Sequence, residues 1–92
     1  MIASFGDDDT ALVSAGFVVP RLHSIGQRAQ LRLDQLSAMH SLADLMVVRG
    51  NRLEKLRGRW SGYYSVRIND QWRIVFRWQD KACHEVRIVD YH

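Results

Sequence analysis

The chain ends on three side chains that can each donate, accept or hold a proton: Asp90, Tyr91 and His92. A histidine titrates near neutrality when unperturbed, so His92 suits either proton role, and a neighbouring carboxylate such as Asp90 favours its charged form. Upstream the residue types change to anion binders. From Arg49 to Arg77 there are eight Lys or Arg (Arg49, Arg52, Lys55, Arg57, Arg59, Arg67, Arg73 and Arg77), set against Glu54 and Asp70. An arginine accepts no proton at neutral pH, but its guanidinium forks two hydrogen bonds to phosphate oxygens. Proton transfer beside a phosphate-binding surface is the chemistry these residues offer. A block this basic attracts polyanions, nucleic acid first. The plainer readings are a solvated surface of scattered charge and, for His92, a solvated chain end.

These residues need elements to carry them. "HEVRIVDYH" reads as a β-strand running to the terminus. After Gly50 the hydrophobic period is two. Tyr64, Val66 and Ile68 alternate with Tyr63, Ser65 and Arg67, and Trp72, Ile74, Phe76 and Trp78 alternate with Arg73, Val75 and Arg77. "NDQ" between them carries hairpin-loop residues. A three-residue loop sets Ile68 opposite Trp72, Val66 opposite Ile74 and Tyr64 opposite Phe76. On the other face it sets Arg67 opposite Arg73 and Tyr63 opposite Arg77. One face is then apolar and the other basic. Opposed like charges destabilise a sheet, so such a cluster either splays into water or serves an anion. A turn at "QDKA" leads to the last strand, and "RLEKLRG" reads as a further strand.

The first half has helical spacing. "MIASF" suits an edge strand, and "GDDDTALVSAG" suits a short helix with acidic residues at its start and Gly16 as its stop. Pro20 breaks the chain. From Arg21 to about Met39, Leu22, Ile25, Ala29, Leu33 and Leu36 recur at spacings of three and four. Ser41 before "LADL" suggests one more short capped helix. The expected fold class is α+β: N-terminal helices on the apolar face of a small antiparallel or mixed sheet, with the basic face left open.

Ninety-two residues make a single domain, 1–92. The net charge is +3 and the isoelectric point near 9.5. No apolar run approaches the ~20 residues that span a bilayer, so no membrane is expected. The acidic start does not suit a secretory signal. Cys83, the one cysteine, has no internal partner for a disulfide, which suits a cytoplasmic location.

"GNRLEKLRG", then "GYYSVRINDQWRIVFRW", then a terminal "EVRIVDYH" closely resemble the HigB-type toxins of the RelE/ParE superfamily, the plasmid maintenance killer proteins of type II toxin–antitoxin pairs. "MIASF" and "RLDQL" match the first half of that family. The resemblance implies a RelE-like microbial ribonuclease fold and a metal-independent endoribonuclease that cuts messenger RNA in the ribosomal A site. It implies as partners a helix-turn-helix antitoxin of the HigA type, the ribosome and its mRNA, and operator DNA bound through the toxin–antitoxin complex. It implies no cofactor. By position His92 matches the catalytic histidine, with Asp90 and Tyr91 beside it. Arg73 matches the arginine facing the scissile phosphate, and Arg57 the assisting basic residue. Glu54 stands where some members carry an active-site histidine, and Arg59 where many carry aspartate.

Lys55, Arg67, Arg77, Tyr63 and Glu54 complete the expected RNA-contacting set. Strict alternation puts Asp90 and His92 on the face of Val86 and Ile88. If those two are core, His92 needs a bulge, a strong twist or an overhang to meet Arg73. Trp72, Phe76 and Trp78 share a face with Ile74 and read as core. Tyr63 and Trp60 are the stacking candidates. Cys83, His84, Asp90 and His92 match no zinc spacing. Two other functions fit the same residues: a catalytically weak module acting through antitoxin, operator-complex or nucleic-acid binding, and a nonspecific nucleic-acid binder.

Overall fold

A computed structural model describes residues 1–48 and 50–90; Arg49, Tyr91 and His92 lie outside it. Helix α1 spans Asp8–Ser14, and the Asp7 carboxylate caps it by accepting from Thr10 N at 2.7 Å. Gly16 follows at φ +92°, a conformation that stops a helix at little cost only for glycine. Pro20–Ile25 forms a 3₁₀ turn and Gly26–Ala38 forms α2, so the long helical pattern is two elements joined at Ile25. The apolar stripe is continuous across the joint. Leu22, Ile25, Ala29, Leu33 and Leu36 are all buried. Helix α3, Leu42–Met46, starts where the Asp44 carboxylate accepts from the backbone of His40 and Ser41. Those two bonds hold Asp44 below the usual carboxylate range.

Four strands follow in the order β1 (Glu54–Lys55), β2 (Tyr63–Arg67), β3 (Trp72–Gln79) and β4 (Ala82–Asp90), all antiparallel. The strand expected in "RLEKLRG" is only two residues long. "MIASF" adds to the free edge of β4 through two parallel bridges, Ile2 to Cys83 and Phe5 to Val86. The β2–β3 register is the one the alternation predicts, with Tyr64 opposite Phe76, Val66 opposite Ile74 and Arg67 opposite Arg73. Asn69 fixes the loop, because its side-chain oxygen accepts from Gln71 N and Trp72 N at 2.9 and 2.8 Å. Asp80 and Lys81, both at positive φ, make the tight β3–β4 turn.

One irregularity was not legible in the pattern. Val75 pairs with Arg87, but Arg77 pairs with His84, so Glu85 and Val86 together oppose Phe76. The extra residue is Glu85, at φ +54°. This bulge lets Cys83 and Val86, three residues apart, both face the helices, where both are fully buried. It lies before Val86, so Val86, Ile88 and Asp90 keep strict alternation beyond it.

The core lies between α2, with its preceding 3₁₀ turn, and the apolar sheet face: Leu22, Leu33 and Leu36 meet Val66, Ile74, Phe76 and Val86. Replacing Leu33, which is 0% exposed, with Ala removes apolar contacts and leaves a cavity. Chemical denaturation of Leu33→Ala should show a loss of about 2–5 kcal/mol. Burial also raises the Cys83 thiol to about 11, from an ordinary value of 9.0. Because the folded thiol holds its proton longer than the unfolded one, the stability it contributes is present below about pH 9 and is lost as pH rises through about 11. In a thiol-titration assay at pH 8, Cys83 should stay unreactive in the folded protein and react once on unfolding.

Candidate functional site

The sheet face turned away from the helices carries five of the ten predicted residues, Glu54, Tyr63, Arg67, Arg73 and Arg77, and Arg73 is at its centre. Arg73 is only 9% exposed. Its Nε donates to Ser65 Oγ at 2.8 Å and its Nη2 to the Arg52 carbonyl at 2.7 Å. Glu54 Oε1 stands 3.8 Å from Nη1. Three parts of the sequence converge here for identifiable reasons. Glu54 pairs with Ser65 across β1–β2, which sets both on the Arg73 face. Arg52 adopts φ +45°, unusual for a non-glycine, and its carbonyl meets the guanidinium. Asn51, fully buried, ties this segment down: its side-chain Nδ2 donates to Leu45 O at 3.2 Å and its backbone carbonyl accepts from Arg67 N at 2.6 Å. Ser65 and Val75 are buried too, so the face is covered around Arg73 rather than open throughout.

A second cluster occupies the same face toward the β3–β4 turn. Tyr63 opposes Arg77, and the bulged Glu85 joins them. Arg77 Nε lies 2.8 Å from Glu85 Oε2, Arg87 Nη2 lies 3.9 Å from Oε1, and the Tyr63 hydroxyl donates to Oε1 at 3.2 Å. Burial, then the Glu85 contact, pushes the Tyr63 hydroxyl above its ordinary value, so it stays a neutral donor. Trp60 meets Tyr63 edge-on with ring centroids 5.1 Å apart, and the Arg87 guanidinium lies over Trp60 at 5.8 Å. Both rings are half-buried, leaving part of each accessible.

Arg67 shares this face with Arg73, whereas Lys55, Arg57 and Asp90 fall elsewhere. Arg67 flanks Arg73 across the hairpin and forms an ion pair with Asp70, whose carboxyl is held below its usual range by that contact. Lys55 pairs with Tyr64 and so takes the opposite face from Glu54, exposed at the sheet edge. Arg57 is exposed in the loop before the 3₁₀ turn Gly58–Trp60. Asp90 pairs with Trp72, on the helix side of the sheet, and accepts from Gln71 Nε2 at 3.0 Å; Val89 is the residue opposite Arg73. Arg73 and Asp90 therefore belong to opposite faces. The bulge that could re-aim the strand end lies upstream and leaves this assignment intact. His92 and Tyr91, the two terminal candidates, lie outside the described residues.

The site also takes in Ser65, Arg52, Glu85 and Arg87, to which the sequence pattern assigns no role of their own. Ser65 left a trace, as the small polar residue between Tyr63 and Arg67 on the basic face. Arg52 acts through its backbone, and Glu85 through a bulge, and neither leaves a periodic signal. Trp72 and Trp78 pack against the core and Phe76 is inside it, as their face requires. Among the described residues, no three His, Cys, Asp or Glu side chains come together to hold a metal ion, and no helix is long and apolar enough to cross a membrane.

The comparisons with known proteins agree with this architecture. Residues 5–92 match the family described as RelE-like toxin of type II toxin–antitoxin system HigB. Toxin HigB-1 of Vibrio cholerae serotype O1 is 41% identical over 49 residues, which are 53% of this chain and 52% of that relative, so the matched stretch spans about half the relative's length. Two solved structures of the YoeB–YefM complex from Staphylococcus aureus, one described as a heterotetrameric toxin–antitoxin complex, contain a chain with the same fold. Each superposes with a TM-score of 0.62 at 18% identity, covering 100% of this chain and 98% of the other. The helix-backed four-stranded sheet and the family match over residues 5–92 make this chain a member of the HigB family of RelE-like toxins.

Proposed function

We propose that this toxin is a metal-independent endoribonuclease that cuts mRNA in the A site of the ribosome, in the cytoplasm. In this reading a HigA-like helix-turn-helix antitoxin neutralises it, and the two together bind operator DNA. The observation that carries the reading is the Arg73 guanidinium, buried and oriented by Ser65 and the Arg52 carbonyl before any substrate arrives. A cation fixed in advance stabilises charge as it develops and needs no reorganisation during the reaction.

Cleavage without a metal proceeds by attack of the ribose 2′-hydroxyl on the adjacent phosphorus, with loss of the 5′-oxygen. Arg73 stabilises the five-coordinate phosphorane through forked hydrogen bonds. His92 protonates the departing 5′-oxygen and Tyr91 holds phosphate or base; Asp90, on the face opposite Arg73, supports the charged form of His92 without contacting the phosphate. Glu54 takes the 2′-hydroxyl proton, a role consistent with its carboxylate 3.8 Å from Arg73 Nη1. Arg57, Lys55, Arg67 and Arg77 contact the RNA backbone. Tyr63, with Trp60 beside it, offers a ring for a base.

Tightly controlled expression with 5′-end mapping of cellular transcripts tests the reading. Wild type should arrest growth and leave cuts inside translated codons. His92→Ala, still folded, should leave neither. Arg73→Ala should lower turnover on translating ribosomes by about 10²–10³-fold, the usual effect of removing one transition-state donor. A folded wild type that neither arrests growth nor cuts would overturn the proposal. Glu54→Gln separates base catalysis from binding: turnover should fall by about 10²–10⁴-fold with KM little changed. A rise in KM at constant kcat would make Glu54 a binding residue instead.

A further inference from the structure

Helix α2 and the end of β2 enclose a recess that the cleavage chemistry does not use. Its volume is about 360 Å³ and it is lined by Arg28, Leu31, Arg32, Arg67 and Ile68. Arg28 and Arg32 are four residues apart, hence on one face of α2. Arg67 arrives from β2, and Arg32 Nε donates to the Arg67 carbonyl at 3.2 Å, fixing helix to strand. Among the described residues, no acidic side chain lines the recess. Asp70, the partner of Arg67, sits outside it on the fully exposed hairpin turn.

Three guanidinium groups around one recess repel one another. Burial first, then Arg67 and Arg28, hold the Arg32 guanidinium below its usual range, a sign that its positive charge is disfavoured here. An entering anion reverses the sign of that interaction. Each guanidinium presents a rigid fork that suits the tetrahedral oxygens of phosphate. Position favours a phosphate of the RNA strand. Arg67 lies opposite Arg73 across β2–β3, so one residue of the recess neighbours the buried cation of the site, while Arg28 and Arg32 come from the helix layer.

We propose that Arg28, Arg32 and Arg67 form a second phosphate-binding site, which holds a backbone phosphodiester of the RNA strand away from the bond being cut. This rests on the RNA-cleaving reading above for the identity of the strand, but not for the recess itself.

The test compares wild type with Arg28→Gln/Arg32→Gln in two assays. In thermal melts at matched ionic strength, inorganic phosphate should raise the wild-type Tm more than chloride does. The double variant should lose that difference whatever its own Tm, which gains from relieved repulsion and loses the Arg32 bond to the Arg67 carbonyl. With a short single-stranded oligoribonucleotide, 2′-O-methylated so that it cannot be cut, the variant should bind about fivefold to tenfold more weakly. Its log–log salt slope should be shallower by about 0.7, the loss of one phosphate contact. Arg28→Gln alone, at an exposed position, supplies the same readouts if the double variant is unfolded. A phosphate response that survives substitution overturns the recess as a site. A lost phosphate response with unchanged oligoribonucleotide binding, or no binding by wild type, overturns its assignment to RNA. Weakened antitoxin binding in that case gives the recess to an acidic protein segment. Transcripts left uncut by a wild type that passes both assays would sink the nuclease reading and leave this site standing.

Discussion

The register of the β2–β3 hairpin decides which side chains meet the helices and which meet the opposite face. Slipping one strand by a residue would reverse its faces, sending either Val66 of β2 or Ile74 and Phe76 of β3 away from α2 and turning Arg67 or Arg73 toward the core. Two constraints hold it. The Asn69 side chain closes the loop on Gln71 N and Trp72 N. The helical stripe Leu22–Leu36 offers an apolar surface that only one register can bury. The short helix α1 and the N-terminal bridges to β4 then complete the far edge of the sheet.

Fixing that register has an electrostatic consequence. It brings Arg67 beside Arg73 and Arg77 beside Tyr63, a crowding of positive charge that a sheet tolerates poorly. The fold answers with carboxylates drawn from other parts of the chain. Glu54 from β1 faces Arg73, Glu85 from the bulge sits between Arg77 and Arg87, and Asp70 from the hairpin loop meets Arg67. The face thus sets four arginines against three carboxylates, with a buried cation at its centre. Arg28 and Arg32 add positive charge from the helix layer, at a recess that no carboxylate of the described residues lines.

Two of the four described non-glycine residues at positive φ border this face. Arg52 at φ +45° contributes its carbonyl to Arg73, and Glu85 at φ +54° contributes its carboxylate to Arg77. Unfavourable backbone conformations of this kind persist where the surroundings over-determine them, commonly at functional sites. Here the surroundings are named: Asn51 anchors the segment before Arg52, and the bridges of Ser4 and Phe5 to β4 hold the strand around Glu85.

By itself the sequence determined everything that follows from period and local chemistry. The period-two alternation was enough to assign the hairpin and its pairing residue by residue. The three-and-four spacing was enough for the buried stripe, and the Asp7 and Asp44 caps and the Gly16 stop lie where their residue types are favoured. The basic composition of one face was equally legible, as was the resemblance carried by the last forty or so residues. Tertiary structure alone decided what is non-periodic. The bulge at Glu85 breaks alternation because Cys83 and Val86 must both be buried, a demand set by the helices and not by their neighbours in sequence. The Arg52 carbonyl on Arg73 is a backbone contact across 21 residues, and any residue type has a carbonyl. The partition of Asp90 and Arg73 between opposite faces, and the meeting of Arg28 and Arg32 with Arg67, depend on how the helix layer crosses the sheet. Packing sets that crossing, and pattern alone does not encode it.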